Sequence, residues 1–150
     1  MTQDGPLANT LALTHGTLEC ENLPKTRRFY KEFLGLSCVR EAPRVQFVWR
    51  EGEWVLVCAS SGQPLFAKQG IENRWGLKLA TPAEVDAAHA AAVAEREKWE
   101  IREITPIRAE PDGTRGFFLQ DLDGNWWEIY YRPGRLFDDL SARARAEAGA

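Results

Sequence analysis

The sequence predicts an α+β fold: two βαβββ modules forming one cupped, mostly antiparallel sheet with helices on its convex side. Three observations lead to it. Gly113 to Arg132 reads as two apolar, aromatic strands joined by a tight turn in which Asp121, Asp123, Gly124 and Asn125 supply residues that tolerate φ > 0. Runs of strand and helix character follow the order β-α-β-β-β from about residue 11 to 60, and the order repeats from about 73 to 132. Each first strand is followed by a helix start, Asn22 with Pro24 in one half and the capping box Thr81-Pro82-Ala83-Glu84 in the other. The halves are hardly alike in sequence, so the duplication rests on element order.

Taken in order, residues 1 to 10 carry Gly5, Pro6 and Asn9 without periodicity and read as a frayed arm. Leu11 to Glu19 is a strand with Leu13, His15, Thr17 and Glu19 on one face and Leu18 and Cys20 on the other. Phe29, Tyr30, Phe33 and Leu34 recur at helical spacing after Asn22, and Gly35 ends that helix. Three strands follow, Ser37 to Glu41, Arg44 to Arg50 and Glu53 to Ala59, separated by Pro43 and by Glu51-Gly52. Ser60 to Glu72 is a connector. The second module then runs as a strand from Arg74 to Ala80, an Ala-rich helix from Pro82 to about Trp99, a strand from Ile101 to Ile107, and the hairpin. One domain over residues 11–132 is expected, with a helical tail over 133–150 that sets Phe137, Leu140 and Ala144 on one side.

Composition narrows the function. A length of 150 residues with 44% apolar and 11% aromatic side chains suits one core. A formal net charge of −3 and a pI near 5.5, with Lys and Arg scattered, argue against nucleic acid as a partner. No stretch approaches the ~20 apolar residues of a membrane span, and the N-terminus lacks the basic start and apolar core of a secretion signal, so a cytoplasmic protein is expected. Cys20, Cys38 and Cys58 lack metal-ligand spacing and read as reduced core residues.

Alternation places Trp126, Glu128 and Tyr130 on one face of the last strand and Trp127, Ile129 and Tyr131 on the other. A carboxylate among aromatics is costly unless it meets a cation, a metal or hydrogen-bond donors. Glu128 is therefore the first candidate site residue. Trp126, Tyr130 and Phe118 are aromatics that either fill the core or line a concavity suited to a flat, partly polar molecule. Trp49 and Trp54 are placed on neither face by the sequence. His89, among alanines, reads as a packed helix residue.

FLQDLDGNWWEI, from Phe118 to Ile129, and NLPKTRRFYKEFLGL, after His15, resemble the closing and opening motifs of the vicinal oxygen chelate superfamily, which includes glyoxalases, bleomycin-resistance proteins and extradiol dioxygenases. The likeness spans about Leu11 to Tyr131, with Asn22 and Thr26 as mild departures. It implies that His15 and Glu128 stand at two of the positions that hold a divalent ion (Fe, Mn or Zn) in metal-using members. Arg74 stands where a middle His belongs, and Val57 where a fourth-strand Glu does. A guanidinium stays protonated and cannot coordinate a cation. The expected arrangement is a substitution in which Arg74 pairs with Glu128 in place of the ion, and removing one member of such a pair, if buried, costs about 3–5 kcal/mol.

Two functions follow from the resemblance. One is an enzyme on a small oxygenated or aromatic metabolite, with His15 as acid/base, Glu128 beside it, Arg74 holding an anionic group, and Thr17, Phe118, Trp126 and Tyr130 contacting the ligand. The other is a protein that sequesters a small toxic compound without catalysis. The resemblance also implies a homodimer and a concavity shared by the two modules.

Overall fold

The strand order of each module follows from which strands are apolar enough to lie inside. The computed structural model describes residues 8, 10–52, 54–65 and 69–149, apart from the side chains of 136 and 137. Most of the expected N-terminal arm, Glu53 and the Phe137 side chain fall outside these. The chain divides into two compact units, Met1–Ala67 and Lys68–Ala150.

In the first unit, strand β1 (His15–Cys20) is followed by helix α1 (Leu23–Glu32) and strands β2 (Ser37–Ala42), β3 (Val45–Trp49) and β4 (Val55–Ser60). They form a four-stranded sheet in the order β1-β4-β3-β2, with β1 parallel to β4 and the other pairs antiparallel. Asn22 caps α1 by accepting from the Lys25 N–H at 3.0 Å. Gly35, at φ 68°, closes it and lets the Leu36 N–H reach the Tyr30 carbonyl at 2.8 Å. The helix buries Leu23, Thr26, Phe29 and Tyr30, while Leu18, Cys20, Cys38, Val48, Leu56 and Cys58 are the sheet's buried apolar residues. All three cysteines are free thiols.

The second unit repeats the plan with strand β5 (Arg74–Lys78), helix α2 (Pro82–Ala94), short strands β6 (Glu103–Ile104) and β7 (Arg108–Ala109), and strands β8 (Arg115–Gln120) and β9 (Trp126–Tyr131). The sheet runs β5-β9-β8-β6, β7 also pairs with β8, and only β5 and β9 are parallel. The capping box expected at Thr81 and Glu84 is formed on both sides. Helix α2 packs on one face of the sheet: Val85 and Ala92 are fully buried, and the His89 ring meets Phe117 edge-on at 4.9 Å while its Nε2 hydrogen-bonds the Thr105 carbonyl oxygen. Arg115 ties β8 to this helix through Asp86 at 2.6 Å. A third helix, α3 (Leu136–Ala148), ends the chain.

The α+β class and the two βαβββ modules are as expected from the sequence, with the strands hydrogen-bonded as one sheet per unit. Three boundaries differ by more than two residues. β1 starts at His15, not Leu11, because its partner β4 starts at Val55; beyond that register Leu11 and Leu13 are 98% and 82% exposed. Regular α2 stops at Ala94, and one more turn follows to Trp99. There Glu100 takes φ 54°, the Ile101 N–H reaches the Arg96 carbonyl and the Glu100 N–H that of Glu97, a Schellman closure made without glycine. The expected strand Ile101 to Ile107 is interrupted at Thr105-Pro106-Ile107, because Pro106 has no N–H to donate. The Thr105 hydroxyl takes up the slack and accepts the Phe118 N–H at 2.8 Å. Among the described residues no helix is long and apolar enough to cross a membrane.

Candidate functional site

Register fixes which side chains share a face. In the second unit Glu128 lies opposite Gly76 on β5 and Phe118 on β8, while Trp126 lies opposite Arg74 and Gln120, and Tyr130 opposite Lys78 and Gly116. These residues form the face turned away from α2, whose own side holds Phe117, Leu119, Trp127 and Ile129. The structure thus brings Arg74, Phe118, Trp126, Glu128 and Tyr130 to one sheet face.

Arg74 is the centre of the group. Its Nε donates to Glu128 Oε2 at 3.3 Å, its Nη1 to Glu72 Oε2 at 3.1 Å and to the Ile71 carbonyl at 3.3 Å, and its guanidinium carbon lies 4.7 Å from the centre of the Phe118 ring. Burial works against the Arg74 charge, but the hydrogen bonds to Glu72 and Glu128 and their charges outweigh it and raise its pKa. The pair expected from the sequence is present, yet its cost of removal needs correcting. The side chains are 28% and 34% exposed, so the fully buried case does not apply and the ion pair is worth about 1 kcal/mol.

Around this pair the walls are aromatic. Trp126 is buried and donates its indole N–H to the Gln69 carbonyl at 3.1 Å. Tyr130 is half-buried, and burial, then the charge of Glu128, push its phenol pKa up against a pull from Arg132, so its hydroxyl keeps its proton near neutral pH. Two glycines escaped the sequence reading and shape this face. A Cβ on Gly116 would stand 2.8 Å from Tyr130 Cβ and 3.0 Å from the Ile129 carbonyl oxygen, and one on Gly76 3.4 Å from the Tyr130 ring. Glycine inside a strand is the signal that marks such close approach.

Beneath the turn lies Asp121, fully buried. Its Oδ1 accepts the Asp123 and Asn125 N–H groups at 2.9 and 3.0 Å, and its Oδ2 accepts the Trp127 indole N–H at 2.9 Å. Burial and the neighbouring charge of Asp123 outweigh those three donors and push its carboxyl up to about 7. The acidic turn is therefore a structural clasp that sets the start of β9 and with it Glu128.

His15 and Thr17 belong to the first unit. They sit exposed on the face of its sheet opposite α1, where the register adds Val39, Phe47, Val57 and Trp49. His15 Nδ1 shares a hydrogen bond with the Thr14 hydroxyl at 2.9 Å. Trp49 is thus assigned to this face, and Trp54 is 37% exposed.

The residues do not fit the divalent metal that the resemblance implies. Glu128 is engaged by a permanent cation, the residue across the strand pair from Thr17 is the apolar Val57, and among the described residues no three His, Cys, Asp or Glu side chains are grouped to hold an ion.

Residues 12–129 match the Glyoxalase/Bleomycin resistance protein/Dioxygenase superfamily. No curated protein matches the chain. Among solved structures, a glyoxalase-related enzyme from Fulvimarina pelagi is similar at 22% identity and a TM-score of 0.62, covering 83% of this chain and 90% of that one. A glyoxalase/bleomycin resistance protein from Albidiferax ferrireducens T118 is similar at 25% identity and 0.60, covering 81% and 98%. Lactoylglutathione lyase from Agrobacterium tumefaciens aligns at 19% identity and 0.59, covering 83% and 96%.

Proposed function

Since the chain belongs to the glyoxalase/bleomycin resistance protein/dioxygenase superfamily, we propose that it is a metal-independent binder of a small, flat organic anion, a carboxylate or phenolate on an aromatic frame. The observation that carries this is Arg74, half-exposed, stacked on Phe118 and held by Glu128 through Nε. A guanidinium so fixed keeps Nη2 without a partner among the described residues, a donor that an incoming anion can take. Trp126 and Tyr130 supply apolar area beside it, and the Tyr130 hydroxyl a neutral donor. In the first unit we assign His15 and Thr17 ligand contact as polar groups of their open face. A cytoplasmic homodimer that sequesters its ligand completes this reading.

A second reading is an enzyme on a small oxygenated metabolite. It draws on Glu128 Oε1, which has no hydrogen bond among the described residues and could accept a proton from a ligand that Arg74 holds. His15 would be its other proton-transfer group.

The test is calorimetric titration with benzoate and with neutral benzamide. Benzoate is expected to bind and benzamide not, with Arg74→Met weakening benzoate by about tenfold or more while lowering stability by only about 1 kcal/mol. Equal binding of both compounds, or benzoate affinity unchanged in Arg74→Met, overturns the anion reading. Turnover of a bound compound that Glu128→Gln abolishes would favour the enzyme.

A further inference from the structure

The first unit holds a cavity that plays no part in the site above. It measures about 100 Å³, lies between the first turns of α1 and the β2–β3 pair, and is lined by Leu23, Pro24, Arg27, Arg40 and Gln46. Register puts Gln46 opposite Arg40 and Cys58, on the face that α1 covers, away from His15 and Thr17.

Gln46 is wholly buried, and neither its Oε1 nor its Nε2 has a hydrogen-bond partner among the described residues. Leaving both ends of a primary amide unpaired in a core is costly, and an apolar residue would fill the same space without that cost. The surroundings indicate what would pair with it. Arg27 makes no hydrogen bond or ion pair among the described residues, and it lines the cavity. Arg40 spends Nε and Nη2 on the Ala42 and Pro43 carbonyls, and its Nη1 has no partner among the described residues. Among the described residues no carboxylate lines the cavity, and Leu23 and Pro24 belong to the positive end of a ten-residue helix.

We propose that this cavity binds a small hydroxycarboxylate, its carboxylate taken by Arg27 and Arg40 and its hydroxyl by Gln46. A hydroxyl donates and accepts at once, which is what an orphaned amide needs, whereas a bare carboxylate would leave Oε1 unpaired. A volume of about 100 Å³ is the share of about three waters, which matches a two- or three-carbon acid. The cavity belongs to the first unit and Arg74 to the second, so the inference does not depend on the ligand assigned to Arg74.

The experiment is calorimetric titration of the whole chain with glycolate, acetate and glycolamide, for the wild type, Gln46→Leu, Arg27→Met and Arg74→Met. Glycolate is expected to saturate one site, with acetate and glycolamide each weaker by about tenfold or more. Arg27→Met should weaken glycolate, and Gln46→Leu should erase its advantage over acetate while leaving the ligand-free melting temperature equal or higher. The proposal fails if glycolate does not saturate, if Gln46→Leu keeps the preference for glycolate, or if Arg74→Met abolishes binding. If Gln46→Leu does not fold, Arg27→Met, at a half-buried position, decides alone: unchanged glycolate affinity refutes the site.

Discussion

Asp121 shows how one side chain can set a protein's response to pH. An unfolded chain titrates this carboxyl near 3.8, the folded chain near 7. Between those values the folded state binds the extra proton, so this group's contribution to stability is complete below about pH 3.8 and is lost as pH rises through about 7. Thermal melts from pH 4 to 8 should show stability falling with rising pH, and Asp121→Asn should flatten that slope. The variant should also cost about 1–3 kcal/mol, because an Asn nitrogen in place of Oδ2 leaves the buried Trp127 N–H without its acceptor. A wild-type profile flat across this window would show that the three N–H donors, not burial, set the carboxyl's charge.

At the scale of elements, the β8–β9 pair depends on the absence of a side chain. Gly116 faces Tyr130 so closely that a Cβ would meet its Cβ at 2.8 Å and the Ile129 carbonyl oxygen at 3.0 Å, and backbone cannot swing aside as a side-chain end can. Gly116→Ala should push the two strands apart and cost about 1–3 kcal/mol in urea unfolding, with weaker benzoate binding because Tyr130 moves. Gly35→Ala offers a control of another kind: nothing lies within 4 Å of its Cβ, so its cost should come from the φ of 68° alone, about 1–2 kcal/mol. Equal stability of Gly116→Ala and wild type would mean that the strand pair yields more easily than its packing implies.

For the molecule as a whole, the thiols report on integrity. Cys20 and Cys58 are fully buried and Cys38 is 7% exposed; burial raises the Cys38 pKa against the opposing charges of Arg27 and Lys31. All three thiols should resist an aromatic disulfide reagent in native buffer and react together in denaturant, since the thiolate is the reacting form and unfolding exposes it. Fast reaction of one cysteine under native conditions would locate a region of the first unit that opens on its own.

The sequence by itself determined the element order, both helix N-caps and the faces of β1 and β9, while Arg74 as the partner of Glu128 came from the family resemblance. The first three are local matters: period-two alternation and capping chemistry can be read within a few residues. Only the tertiary structure decided that the pair is half-exposed, that Gly116 and Gly76 make room for Tyr130, that β6 and β7 part at Pro106, and that Gln46 lies orphaned beneath α1. Each of these depends on what lies across a strand pair or under a helix, and one residue's own chemistry does not specify its distant neighbours. Gln46 stands in a run, Val45 to Trp49, that reads simply as a strand, and its burial appears only once α1 lies across it.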